Sequence, residues 1–337
     1  MRFALDAEQT EFGRTLDRLL RTAEAPAAAR AWAAGDFTAG RALWRRLAAT
    51  GVFALAVPER YAGLGPLPVE LAVACVELGR HAVPGPVAES AAAAVLLGTL
   101  AGRDRAAADA AAEEWLPRIA GGQALVTLGA PEAGPYVLDA EAADAVLVYD
   151  GRRLFAGAGH GPVQRSADPA RRLCRPGPGG RLLADDPELA AAVGRAGDWA
   201  AFATAAQSLG VGLALLERTV GHVRRRTQFG RPIGSFQAVK HRLADVLIDL
   251  EFARPLLYGA AVALAAGAPT AGAEVAAAKA AAGEAAYRAA RAALQLHGAI
   301  GYTEELDLSL WLRKAHALRS AWGSPGRCRA RALAGLA

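Results

Sequence analysis

The chain is nearly devoid of lysine. Lys240, Lys279 and Lys314 are the only lysines among 38 basic residues, leaving 35 arginines. With alanine and glycine also abundant, this reads as the coding bias of a GC-rich genome. Cysteine is scarce too. Cys75, Cys174 and Cys328 make an odd set without CxxC spacing, which argues against a disulfide framework or a metal site and for a reducing cytoplasm. No run of about 18 strongly apolar residues is present, so no membrane span is expected. The Ala-rich stretches near 90–101 and 259–268 are interrupted. The N-terminus carries Asp6 and Glu8 and no apolar core, so it does not read as a signal peptide. The net charge of +5 is spread out, which points to a solvated surface and away from a nucleic-acid partner.

Hydrophobic residues make up 53% of 337 residues, enough for two or three domains around a substantial core. Much of that fraction is alanine, a strong helix former. A mainly helical chain is expected, in three parts. Residues 1–120 read as an N-terminal helical domain. Asp6 and Gln9 resemble a capping box that opens a helix with Phe12, Leu16, Leu19 and Leu20 on one face. Trp44, Leu47 and Val52 mark a second helix. A Pro/Gly loop at 57–65 and helical patterns near 67–80 and 86–101 follow. Residues 121–192 change character: 124–128 and 145–149 are short β-rich runs, and 174–184 reads as loop. This predicts a small, reduced β domain. Residues 193–337 carry apolar-periodic segments near 197–226, 236–266, 270–297 and 304–321, which predicts an antiparallel four-helix bundle. Pro325-Gly326 is expected to end the fourth helix before a short Arg-rich tail.

Two motifs are long enough to carry a resemblance. One runs from Arg226 to Gln237, RTQFGRPIGSFQ. Arg226 offers a planar fork of donors suited to a pyrophosphate, Phe229 an apolar face, and Gln237 a donor and an acceptor. Gly230 and Pro232 force a tight turn. The other runs from Gln295 to Ser324, with Gln295, Gly298, Gly301, Tyr302, Arg313 and Ala315 at regular places. Together they resemble the acyl-CoA dehydrogenase family, whose patterns are R-x-Q-F-G-x-P-I-x-x-F-Q, then Q-x-x-G-G-x-G-Y, R-D-A and E-G-T. Softer matches lie at 57–65 and at Glu77-Leu78-Gly79-Arg80. The resemblance covers nearly the whole chain and implies that family's fold.

The resemblance also implies a cofactor, FAD, held across a subunit interface. In the family these two loops grip the ADP half of the neighbouring subunit's FAD. Carried over, the contacts are Arg226, Phe229, Gln237, Gln295, Leu296, His297, Gly298 and Ala299, the last in place of the usual second Gly. The chemistry is another matter. The family reaction needs a base to remove the acyl-CoA α-proton while hydride leaves the β-carbon for the flavin. The Glu of E-G-T falls on Trp322, whose indole has one donor and no acceptor. Some members place the Glu about 26 residues before the Arg of R-x-Q-F-G, and here that is Ala200. Asp198 lies about 200° around the helix from it and reads as a helix-start charge. The Asp of R-D-A is Lys314. A flavin-ring strand is lacking as well, and 130–134 is at most a remnant of the family's T-E-P turn.

These losses all belong to a subunit's own active site, whereas the retained motifs all serve a partner. The pattern resembles the degenerate subunit of actinobacterial heteromeric acyl-CoA dehydrogenases, many of them in steroid side-chain degradation. It implies no catalytic residue in this chain, a full-length acyl-CoA dehydrogenase as partner in a two-plus-two heterotetramer, FAD and acyl-CoA bound mainly by that partner, and an electron-transfer acceptor. Two alternatives stand beside it. One is a flavoprotein of the same fold with altered chemistry, using Asp198 or an unrecognised carboxylate. The other is a nucleic-acid binder using Arg-rich faces such as Arg224, Arg225 and Arg226, and Arg327, Arg329 and Arg331.

Overall fold

The computed structural model describes residues 4–102 and 105–335. Six helices come first: α1 (Ala7–Arg21), α2 (Ala25–Ala33), α3 (Thr38–Ala48), α4 (Pro68–Arg80), α5 (Val87–Leu100) and α6 (Ala106–Ala120). The capping box expected at Asp6 and Gln9 forms, and Leu16 and Leu20 are buried. Two of the six, α2 and α6, went unpicked in the sequence. Both are alanine-rich, so their apolar faces stand out weakly from the rest of the helix surface.

Seven short strands follow: β1 (Val126–Gly129), β2 (Val137–Leu138), β3 (Ala145–Tyr149), β4 (Leu154–Gly157), β5 (His160–Gln164), β6 (Leu173–Pro176) and β7 (Gly180–Ala184). They form one sheet of order β1-β3-β4-β7 and one of order β2-β6-β5. The expectation of a loop over 174–184 is therefore corrected. Gly180 to Ala184 pairs antiparallel with β4 at the sheet edge, where glycine is tolerated.

The C-terminal helices are α7 (Leu189–Arg225), α8 (Gln237–Ala265), α9 (Ala271–His297), α10 (Leu308–Ser320) and α11 (Pro325–Ala334), with β8 (Thr227–Gln228) and β9 (Arg231–Pro232) between α7 and α8. The four expected bundle helices are all present, and α7 already begins at Leu189, before the boundary placed at 192. A fifth helix is added. Pro325 does not break the segment. It sits in the first turn of α11, where its missing N–H costs nothing, and Ser324 caps that turn by accepting from the Arg327 amide.

The long α7 is the hub. An 18-residue window within it is apolar enough to cross a membrane, but 89% of that window is buried inside the protein. It packs against α4, α5, α8 and α9. Its crossing with α4 is tight. A Cβ on Gly79 would lie 2.1 Å from the Gln207 carbonyl oxygen, and one on Gly210 would lie 1.9 Å from that of Val76. Only residues without a side chain let the two backbones approach this closely. Arg80 ends α4 and ties it on. Its guanidinium pairs with Glu217 at 3.0 Å, and its carbonyl accepts from Trp311 Nε1 on α10 at 2.9 Å.

Candidate functional site

At one end of the bundle, α7 stops at Arg226, whose backbone turns extended. β8 and β9 then form a two-residue hairpin with Phe229 and Gly230 at φ 52° and 74°. Positive φ at both central residues is the mirror-image turn that matches strand twist. The Ile233 amide closes the loop onto the Arg226 carbonyl at 2.8 Å. The turn presents Phe229 to solvent at 90% exposure. Its ring meets Phe236 edge-on at 6.3 Å, and Arg231 sits 4.2 Å over the Phe236 ring. Arg226 is exposed and makes no ion pair among the described residues. Gln237 opens α8, also exposed.

The second loop arrives at the same end. His297 closes α9, its Nδ1 donating to the Ala293 carbonyl at 2.8 Å. Its ring stacks on His222 of α7 at 4.1 Å. Burial lowers the pKa of both imidazoles, and at His222 the neighbouring His297 lowers it further. Neutral rings stack without repulsion, so the contact joins the two loops near neutral pH. Gln295 is held by Arg242 of α8, which donates to its Oε1. Leu296 is half-buried and Ala299 exposed. Gly298 has φ 65°, with open space where a Cβ would stand. The structure thus gathers all eight residues expected at the cofactor into one end of the bundle. Arg242 and His222 belong to the same constellation and carry no motif of their own.

The other positions lie elsewhere. Ala200 is fully buried on α7. Asp198 does not start a helix. It lies nine residues into α7 and pairs with Arg331 of α11. Trp322 sits in the turn between α10 and α11 at φ 53°, 7% exposed. Its Nε1 donates to Oε1 of Glu89 on α5 at 3.0 Å. Glu89 is 3% exposed and has Arg171 at 3.6 Å. Nearby, Lys314 pairs with Asp168 at 3.3 Å with both side chains buried. Lys279 of α9 donates to the carbonyls of Leu318, Arg319 and Gly323 at 3.0–3.2 Å, tying down the end of α10 and the Trp322 turn. Burial pushes its pKa down to about 8. A cavity of about 360 Å³ opens here, lined by Glu89, Tyr136, Arg165, Arg171, His316 and Trp322. Among the described residues its one buried carboxylate, Glu89, is already engaged on both sides, by an indole and a guanidinium.

One further cluster gathers Asp17, Glu77 and His81, with ligand atoms within 4.8 Å of one another. Arg21 pairs with Asp17 at 2.8 Å and Arg80 with Glu77 at 3.7 Å, so arginines already supply its positive charge.

Residues 6–123 match the acyl-CoA dehydrogenase N-terminal domain and residues 190–332 the C-terminal domain. Over 316 residues, 92% of each chain, this sequence is 36% identical to acyl-CoA dehydrogenase IpdE2 of Mycobacterium tuberculosis. The chain belongs to the acyl-CoA dehydrogenase family. Among solved structures, a Tcur3481-Tcur3483 steroid ACAD variant superposes with a TM-score of 0.82 at 25% identity, over 98% of this chain and 97% of that one. The ChsE4-ChsE5 complex from Mycobacterium tuberculosis gives 0.82 at 24% identity, over 100% and 99%. As a member of this family the chain has the mainly helical acyl-CoA dehydrogenase fold, with a small sheet region between two helical parts.

Proposed function

We propose that this chain is the non-catalytic subunit of a heteromeric, FAD-dependent acyl-CoA dehydrogenase, and that it completes a partner subunit's FAD site. The observation that carries the reading is Trp322. At the family's base position stands an indole that donates its only hydrogen to Glu89. At the alternative position stands a buried alanine, Ala200. Neither takes a proton. Meanwhile the Arg226 loop offers a guanidinium without an ion pair among the described residues, and an exposed ring, at the opposite end of α9. From Lys279 to His297 is 18 residues of helix, about 27 Å.

The residues fit the ADP half of FAD. Arg226 would hold the pyrophosphate, Phe229 would cover the adenine, and the open backbone at Gly298 would admit close approach, with Gln237, Gln295, Leu296, His297 and Ala299 around them. When bound, FAD supplies the hydride acceptor. This chain's part is to grip and orient, and proton removal falls to the partner. The pairing of ChsE4 with ChsE5 in one complex, and of Tcur3481 with Tcur3483 in a steroid ACAD, favours a heterotetramer acting on a steroid-derived acyl-CoA. The exposed apolar residues Ile248, Phe252, Leu256 and Val262 along α8 fit an assembly surface. Three buried free cysteines fit a cytoplasmic setting.

A second reading draws on Glu89, a buried carboxylate at the right place for a base in an enzyme of altered chemistry. Its bonds to Trp322 and Arg171 leave it poorly placed to accept a proton. Co-expression with a full-length family member tests the proposal. A stable complex with about one FAD per heterodimer is expected. A soluble homomer with stoichiometric FAD, or turnover lost in Glu89→Gln, would favour the second reading.

A further inference from the structure

His222 and His297 each belong to the frame of one loop. The His222 carbonyl accepts from the Arg226 amide at 2.9 Å, so His222 is part of the last helical turn from which the hairpin departs. On the other side, a Cβ on Gly301 would lie 3.2 Å from the His297 Cβ, so His297 backs directly onto the 298–302 turn. The ring stack at 4.1 Å therefore couples the two loops. It is also reachable from solvent. Both residues are half-buried and line a cavity of about 840 Å³, which gives water access to the rings and leaves them room to part.

The charges around the stack do little to offset new positive charge on it. From α7 come Glu217, Arg218, Arg224 and Arg225, with Arg226 just beyond. From α1 come Asp17 and Arg21, from the end of α4 Arg80 and His81, and from the segment before α10 Glu305 and Asp307. Arg231 lies on β9, which packs on α7, and Arg242 on α8 holds Gln295. Three of the four carboxylates are already engaged: Asp17 with His81 and Arg21, Glu217 with Arg80, and Asp307 with Arg30. Glu305 has no ion pair, and no carboxylate is bonded to either ring, among the described residues. Burial first, then His297, Arg226 and Arg225, holds the His222 pKa below its ordinary 6.5, and burial does the same at His297. A folded pKa below the unfolded one means that the closed stack is at full strength above about pH 6.5 and weakens as pH falls from there.

We propose that the His222–His297 stack is an acid-sensitive latch: proton uptake by both imidazoles sets like charges face to face, parts the rings into the cavity, and releases the 298–302 turn from the end of α7 and its hairpin. The consequence for FAD, a looser grip at lower pH, rests on the role proposed above for these loops. The latch itself does not.

Hydrogen–deuterium exchange of the full chain at pH 7.5 and 5.5, corrected for the intrinsic exchange rate, tests it at residues 226–236 and 295–303. His222→Phe keeps a ring in the stack and removes its proton site, whereas His222→Ala removes the ring. In the wild type, protection of both segments relative to α5 should fall about tenfold or more on acidification. It should stay level in His222→Phe and be low at both pH values in His222→Ala. Level protection in the wild type, an equally steep fall in His222→Phe, or full protection in His222→Ala overturns the latch. FAD retention by the co-purified complex is measured alongside. Retention that falls with pH in the wild type but not in His222→Phe extends the latch to the cofactor. Retention that stays level while both segments open supports the latch and counts against the assignment of these loops to FAD, so the two readings fail separately.

Discussion

The indole nitrogen of Trp322 lies 3.0 Å from a carboxylate oxygen of Glu89, joining the α10–α11 turn to α5 across 233 residues of sequence. The contact puts a buried carboxyl group against a buried ring, and its consequences are measurable.

Trp322→Ala should remove the ring and leave Glu89 short of a donor. For a buried Trp the expected loss is about 3–5 kcal/mol. Trp322→Phe keeps most of the volume and drops only the N–H, for about 1–3 kcal/mol. Denaturant unfolding of the complex reads both. Acyl-CoA-dependent dye reduction should keep kcat per FAD within a few-fold, and Trp322→Glu should not add a second active site. A hundredfold fall in kcat with unchanged stability would contradict a non-catalytic role.

Arg226→Ala should loosen FAD in the assembled complex, although the proposed arrangement gives the flavin ring to the partner. A charge-assisted phosphate contact is worth roughly 1.5–3 kcal/mol, so tenfold or weaker retention is expected by fluorescence titration of released flavin. Unaltered FAD content would reduce the hairpin to a structural turn.

Asp139 predicts a pH effect. It accepts from Trp32 Nε1 at 3.1 Å and the Arg172 amide at 3.2 Å. Burial nevertheless outweighs these bonds and raises its pKa from 3.8 to about 7. A folded pKa above the unfolded one means that stability is full below about pH 4 and is lost as pH rises through 7. Three units correspond to at most about 4 kcal/mol. Wild-type melting temperature should therefore fall from pH 5 to pH 8 more steeply than that of Asp139→Asn. Glu77, also raised to about 7 by burial, contributes equally to both proteins and cancels in the comparison. Parallel profiles would show that Asp139 is ionised throughout.

Lys279→Met should strip a charged donor from three carbonyls. Each unsatisfied acceptor costs about 1–3 kcal/mol, partly offset by the removal of a buried charge. A net loss of about 1–3 kcal/mol is expected, with faster proteolysis at 321–324. Unchanged cleavage there would mean that the turn holds without it.

The sequence made the four bundle helices legible because their apolar periodicity is long. It made the Arg226 loop legible because eight fixed positions fall within twelve residues. It hid α11, because a proline that starts a helix looks like one that ends it. It hid β6 and β7, because strands of four and five residues that carry Pro or Gly are too short to show alternation. Glu89 stands in a run of alanine and valine with no motif around it, and only folding brings it to Trp322. The burial of Lys314 is likewise unreadable without Asp168, 146 positions earlier, which lies 3.3 Å away in space.

The length of α9 bears on how such a protein arises. Its two ends share no side chain, and a straight helix passes little distortion along its axis. Under the proposed role, a lineage can therefore lose reactive groups at the Lys279 end by single substitutions, while selection still acts on the His297 end through the proposed neighbour. Gene duplication followed by one-sided decay then needs no compensating change, because the helix insulates the inheritance of one end from that of the other.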